Sequence, residues 1–255
     1  MSGTAVRIGT PQRTMESPER GRVLMVSTNF GVGGGAEDQV STLSVGLHKR
    51  GWDVAIVSML PFGRLHPALE GTGIPVSTLG MKRGSADPRA IFDLAKAVRE
   101  ARPDIVHSHM THANILARVA RPLYDVPALI STLHGMKMYG VNKRFTYWRE
   151  LGHRLTDRWA DLTTTICEAA AQSYRDCAAV PAEKLQVILN GVDTALFGPN
   201  PETRTRMRRA LGISNEFVWV AAGRIEKPKA YDLMVRSFAR AAQAGLAGGT
   251  LLICG

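Results

Sequence analysis

Residues 22–51 read RVLMVSTNFGVGGGAEDQVSTLSVGLHKRG. An apolar run, a glycine-rich turn and a helix-like segment follow one another without interruption. RVLMVST (22–28) has the character of a strand buried on both faces, as in a parallel sheet. From Ala36 the pattern predicts a helix with Val40, Leu43 and Leu47 on one face and Gly51 as its stop. Between them, four of the five positions 31–35 are glycine. So bare a backbone at a helix start has two readings. Its main-chain N–H groups hold an anion such as a phosphate, or it is a flexible turn with no ligand.

The same alternation continues along the chain. Further strands are expected at DVAIVSM (53–59), IPVSTLG (74–80), DIVHSHM (104–110), PALISTLHG (127–135), DLTTTIC (161–167) and LQVILNG (185–191). Helices are expected at 64–70, at 88–101 opened by Pro88, at 113–124, at 143–159 and at 168–176. Apolar strands alternating with helices predict an α/β domain, a doubly wound parallel sheet covered on both faces, over residues 21–195. Residues 1–20 are polar and aperiodic and are expected to be a disordered tail, with Met15 as an alternative start. Residues 196–215 are polar and Pro-containing and are expected to be a linker with a short helix. A second alternating unit begins at FVWVAAG (217–223), continues through YDLMVRSFARAAQAG (231–245) and ends with TLLICG (250–255). One βαβ unit cannot bury both of its sheet faces. Residues 216–255 therefore look like the incomplete start of a second domain, or else a small appendage that extends the first sheet.

Composition narrows the partners. The 255 residues are 45% apolar and 21% charged, ordinary for a globular protein, and carry a formal charge of +10. That excess favours anionic partners. No basic tract of nucleic-acid type is present, so no nucleic acid is expected. No apolar run reaches the roughly 18 residues of a membrane span. The N-terminus lacks the apolar core of a signal peptide, and a cytoplasmic location is expected. Cys167, Cys177 and Cys254 form neither a CxxC pair nor a disulfide framework.

In an open parallel sheet, ligands lie outside the carboxyl ends of the strands. The residues there are Gly31–Gly35, then His107, His109 and His112, then His134 and Gly135, then Glu168, then Asn190 and Gly191. GVGGGA loosely fits a dinucleotide fingerprint, but no acid stands at the end of the second strand (IVSMLP) to take a ribose. His107 and His109 project to one face of a strand and can converge on a metal; no carboxylate or cysteine joins them, and no metal is expected. Farther on, Arg224 and Lys229 flank the loop in AAGRIEKPKAYDLM (221–234). The pair reads either as a diphosphate pocket or as a solvated basic loop.

In chain order stand GGAE, VHSHMTHANILAR (106–118), STLHG (131–135), VILNGVDTALF (187–197) and GRIEKPKAYDLM (223–234). This series resembles the family 4 retaining glycosyltransferases, over essentially the whole chain apart from the tail. The resemblance implies a GT-B architecture of two facing Rossmann-like domains. It implies a nucleotide-sugar donor held mainly by the second domain and a saccharide or lipid-linked acceptor held mainly by the first, in cell-surface polysaccharide or glycolipid synthesis. Arg224 and Lys229 would clamp the donor diphosphate, and Gly33, Gly34 and Gly35 would approach the same phosphates. His134 would face the reacting sugar, with His109 near it. Glu168, Asn190 and Gly191 would line the cleft. No Asp-x-Asp motif is present, which suits transfer without a metal or other cofactor. Two departures stand out. Ala230 occupies a position that is usually glycine in the family, and the family's Glu-x7-Glu element lies beyond Gly255, so the chain by itself is expected to be weak or inactive; the alternative is a non-catalytic remnant of such an enzyme that binds an acceptor or a partner. Residues 136–159 carry six Lys or Arg among aromatics that include Tyr147, Trp148 and Trp159. They read either as a helix resting on an anionic membrane or as an ordinary helix with an aromatic core face and a solvated basic face.

Overall fold

The computed structural model describes residues 21–31, 34–135, 143–245 and 248–255. The expected tail, residues 1–20, lies outside the described residues. The first unit runs to Asn190. Its strands are β1 (Arg22–Ser27), β2 (Asp53–Ser58), β3 (Val76–Thr78), β4 (Ile105–His109), β5 (Ala128–Leu133), β6 (Leu162–Thr165) and β7 (Leu185–Val187). Its helices are α1 (Gly35–Lys49), α2 (Arg89–Ala101), α3 (Thr111–Ala120), α4 (Lys143–Thr156) and α5 (Glu168–Asp176).

The strands form one parallel sheet in the order β3-β2-β1-β4-β5-β6-β7. This is the doubly wound arrangement that alternating apolar strands and helices require. The winding reverses between β1 and β4, and that reversal opens a crevice at the carboxyl edge. Alternate residues of β1 feed two cores. Leu24 and Val26 pack with Leu94 and Val98 of α2 and with Leu116 and Ala117 of α3. Val23 and Met25 pack with Val40 of α1 and with Phe30, Leu69 and Ile74. A third core joins Leu133 to Ala171, Tyr174, Val180 and Leu185.

Two elements differ from the sequence reading. In α1 the buried face is Val40, Ser41 and Ser44, while Leu43 is 38% exposed. Ser41 and Ser44 donate their hydroxyls to the carbonyls of Glu37 and Val40, four residues back. Satisfied in this way, small side chains can lie fully buried beneath the helix. β7 spans Leu185–Val187, not 185–191. The ladder continues only as far as the Ile188 amide, which donates to Thr165 O, and Ile188 and Leu189 are exposed.

The largest fully buried side chain among the described residues is that of Arg118 in α3, which has no exposed surface. It donates to Ser131 Oγ at 3.1 Å and to Thr163 Oγ1 at 2.7 Å, and it lies 3.8 Å from Asp157. Lys184 faces the same carboxylate at 3.6 Å. Burial holds the guanidinium pKa down at about 10, with Asp157 opposing the shift.

The second unit runs from Gly191 to Gly255. It holds α6 (Pro201–Ala210), β8 (Val218–Ala222), α7 (Tyr231–Gln243) and β9 (Thr250–Cys254). β8 and β9 pair in parallel as a sheet of their own. The alternative of an appendage extending the first sheet is thereby set aside. Among its described residues none is buried; Phe217, Val220, Ile225 and Leu233 stand more than half exposed. Among the described residues, no helix is long and apolar enough to cross a membrane.

Arg118→Ala leaves the Asp157 carboxylate with Lys184 as its remaining cation, empties the volume of a fully buried side chain and takes the donor from Ser131 and Thr163; breaking a buried ionic network of this kind costs about 3–5 kcal/mol. Urea denaturation is expected to show a loss of that size; a loss below about 1 kcal/mol would mean that Arg118 does not anchor the first unit.

Candidate functional site

The carboxyl edge of the sheet is set by register. Ser27 of β1 pairs with His109 of β4, His109 with Thr132 of β5, and Thr132 with Thr164 of β6. These residues stand at one level beside the β1–β4 reversal. Residues two apart on a strand share a face, so His107 and His109 lie side by side. Their rings sit 4.1 Å apart at 36°.

A connected set of polar side chains results. His109 Nδ1 lies 3.0 Å from His134 Nε2, one residue past β5. His107 Nε2 lies 2.7 Å from Thr132 Oγ1, which lies 2.7 Å from Thr164 Oγ1. Beneath them Asn114 of α3 donates to Thr132 O at 3.0 Å. Thr28 accepts from the Ala113 amide at 3.0 Å and so caps the first turn of α3. Between β4 and α3, Met110 takes φ +70°, a left-handed value in a side-chain-bearing residue. Such conformations cost on the order of 1–3 kcal/mol and gather at functional sites.

Burial sets the charge state. It pushes the His107 pKa down to about 4, with the neighbouring His134 adding to the effect, and that of His134 down to about 4. His109 is enclosed more completely and lies well below the ordinary value, through burial first and then His107 and His134. All three rings are therefore neutral at physiological pH. His112 reaches the surface with part of its ring covered by neighbouring atoms; that partial desolvation, and then Arg149 of α4, lower its pKa. Among the described residues, no group of three or more His, Cys, Asp or Glu side chains is placed to hold a metal ion.

The glycine turn is more constrained than its composition suggests. Gly33 lies outside the described residues. Gly34 is the N-cap of α1, and Gly35 opens the helix. Glu37 folds its carboxylate back over Gly34, where an added Cβ would collide with it. Asn29 Nδ2 holds Glu37 Oε1 at 3.1 Å. A carboxylate three residues after the N-cap can meet the partial positive charge of the helix end. A side-chain anion thus lies where an external one was expected.

The remaining residues are placed separately. Glu168 opens α5 just past β6 and is bonded to Arg175. Asn190 and Gly191 are exposed and lie beyond the shortened β7. In the second unit, Gly223 takes φ +147° at the end of β8, a region open to glycine. The Tyr231 hydroxyl donates to Gly223 O at 2.7 Å, and the Lys229 chain passes close to Gly223. Arg224 is 65% exposed and paired with Glu226 at 3.2 Å. Ala230 takes φ +49°, the left-handed conformation that a glycine adopts freely.

The structure brings His109 and His134 together with His107, which the sequence offers only as a metal ligand. Thr132, Thr164, Met110 and Glu37 are not among the residues that the sequence singles out. The alternation in STLHG and TTT marks the threonines once β5 and β6 are paired, and the spacing of Gly34 and Glu37 is that of a helix cap.

The model of Glycosyltransferase Family 4 matches residues 33–196. An Escherichia coli UDP-Gal:alpha-D-GlcNAc-diphosphoundecaprenol alpha-1,3-galactosyltransferase is 26% identical over 148 residues, 54% of this chain and 36% of its own length. A D-inositol 3-phosphate glycosyltransferase of Acidothermus cellulolyticus is 25% identical over 248 residues, 88% of this chain and 55% of its own. The chain thus spans about a third to a half of these curated relatives. Among solved structures, Anabaena HepE in complex with UDP-glucose superposes with a TM-score of 0.68 at 18% identity, covering 92% of this chain and 69% of that one. At that identity the likeness establishes the fold alone, a Rossmann-like α/β architecture built on a parallel sheet.

The buried imidazoles make the fold acid-sensitive. Their pKa values are depressed in the native state, so the unfolded chain binds more protons between pH 6.5 and 4. Stability is present above about pH 6.5 and is lost as pH falls toward 4, each such histidine adding about 1.4 kcal/mol per pH unit to the slope. Urea midpoints at pH 7, 6 and 5 are expected to fall in that order, and less steeply in His107→Gln; a flat profile would refute neutral burial.

Proposed function

The chain belongs to glycosyltransferase family 4, and from that premise we propose that it acts in transferring a sugar, with retention, from a nucleoside-diphosphate sugar to a saccharide or lipid-linked acceptor. The observation that carries this reading is the pairing, within one chain, of a polar imidazole cluster at a sheet switch point with a Gly-Arg…Lys loop after the first strand of a second parallel unit. The names of the relatives point the same way: one uses UDP-galactose and acts on a diphosphoundecaprenol-linked sugar, and HepE was solved with UDP-glucose. Cell-surface polysaccharide or glycolipid synthesis at the cytoplasmic side of a membrane is the setting we propose.

The chemistry required is modest. The C1–O bond to the diphosphate breaks with its electron pair going to the phosphate oxygen, and the acceptor hydroxyl bonds to C1 from the same face and passes its proton to that departing oxygen. Positive groups fixed at the departing oxygens lower the barrier. Arg224 and Lys229 are assigned that role, with transfer needing neither metal nor cofactor. Among the described residues Lys229 has no ion pair, while Arg224 must exchange Glu226 for the ligand. The amides at Gly34 and Gly35 can contact an anion only when Glu37 swings aside. His134 faces the sugar, and Glu168, Asn190 and Gly191 are proposed to line the outer rim.

Calorimetric titration with UDP is expected to show weak binding by the 255-residue chain. Arg224→Ala or Lys229→Ala is expected to weaken it by about tenfold, roughly 1.4 kcal/mol, with little or no donor turnover. Robust turnover by this chain, or UDP binding that neither substitution changes, would overturn the assignment.

Membrane association has its own support. Tyr147 and Trp148 in α4 are 59% and 57% exposed, and Leu155 is 63% exposed. That exposure supports a membrane-facing reading for these two rings over a core-facing one, and Arg158 stacks on Trp159 at 4.2 Å. Residues 136–142 lie outside the described residues. Exposed aromatics flanked by arginines suit an anionic interface. Pelleting with phosphatidylglycerol vesicles is expected, and is expected to fall severalfold in Tyr147→Ser/Trp148→Ser; no pelleting by the unsubstituted chain would end the idea.

A further inference from the structure

His109 is 2% exposed and lies 3.0 Å from His134 through its Nδ1. Two neutral imidazoles that share one hydrogen bond have two proton arrangements. In the first, His109 carries its proton on Nδ1 and donates to His134 Nε2. The proton of His134 must then sit on its other nitrogen, Nδ1. In the second, His134 donates from Nε2, and His109 carries its proton on Nε2.

The surroundings of His109 decide between them. Its Nε2 is buried and has no hydrogen-bond partner among the described residues. The second arrangement therefore buries an unpaired N–H, whereas the first buries only an unpaired lone pair. Orphaned N–H groups are the rarer defect in proteins, and an unmet buried donor costs on the order of 1–3 kcal/mol. Turning the His109 ring over would replace Nδ1 with a C–H and forfeit the bond to His134. The His107 ring, stacked at 4.1 Å and anchored on Thr132 at 2.7 Å, packs against that rotation.

The geometry assigns His109 the part of a positioning residue that locks His134 in the Nδ1–H tautomer, so that His134 presents a hydrogen-bond donor on the nitrogen turned away from His109. The group that meets it is an oxygen acceptor: a sugar hydroxyl oxygen or an oxygen of the departing diphosphate. In that state His134 has no free lone pair and does not act as a general base. The identity of the acceptor rests on the glycosyl-transfer reading; the tautomer does not.

Long-range 15N NMR of the histidine-labelled 255-residue chain at pH 7 reads the tautomer directly, with the His134 signals identified by their loss in His134→Gln. The expected pattern is a protonated Nδ1 and an unprotonated Nε2 in His134. His109→Asn is expected to keep it, since its carboxamide N–H stands near the lost Nδ1–H. His109→Phe is expected to shift His134 toward Nε2–H, the form imidazole prefers in water. An Nε2–H pattern in the unsubstituted chain overturns the inference by itself, even if His109→Phe fails to fold; so does a tautomer unmoved in a folded His109→Phe. Failure to bind UDP with the Nδ1–H pattern intact counts against the transferase reading and leaves the lock standing.

Discussion

The parallel register of β1, β4, β5 and β6 governs the rest of the first unit. Parallel strands deliver all their carboxyl ends to one edge, and every strand–helix turn of functional interest must lie there. Ser27, His109, Thr132 and Thr164 share one level, and beside them His107, Thr132 and Thr164 bond to one another inside a sheet covered on both faces. Slipping β5 by a residue would put Ser131 or Leu133 in the place of Thr132 and break both of those bonds. The imidazole–threonine network is a consequence of that register and equally a reason for its uniqueness.

The layout was legible in the sequence because its signals are strong and local. Continuous apolar runs, Pro88 and the turn glycines located the strands, the helices and the edge that matters. Pairing was not legible, and the finer structure of the site depends on pairing. Nothing in STLHG taken singly says that Thr132 meets both His107 and Thr164. The face of α1 was misread because serine counts as polar in a periodicity argument, whereas Ser41 and Ser44 bond to their own helix and lie buried. β7 was overextended because ILN continues the apolar pattern past the point where a neighbouring strand offers hydrogen bonds.

The second unit is a case in which local and global requirements diverge. Its loop chemistry is complete: Gly223 makes the turn, Tyr231 ties it down, and Ala230 bears a left-handed conformation suited to glycine. Its packing is not. Its two strands and two helices leave Phe217, Val220 and Leu233 more than half exposed, since a two-stranded sheet has little surface to bury them against. The loop geometry is set by a few bonds within about ten residues.

Electrostatics assign different work to the two units. At the crevice of the first unit the three imidazoles are neutral, and the amide end of α1 already faces the Glu37 carboxylate. The imidazole cluster offers hydrogen bonds and no positive charge of its own, which suits uncharged sugar hydroxyls better than a diphosphate. The cations lie in the second unit's loop, at Arg224, Lys227 and Lys229. A reaction whose barrier is set by charge appearing on a departing diphosphate draws its stabilisation from fixed cations. Under the proposed function the loop of the second unit handles the leaving group, while the first unit orients hydroxyls by a network that stays uncharged throughout. A neutral network has the further merit that it does not compete for the diphosphate, so the donor has one electrostatic address.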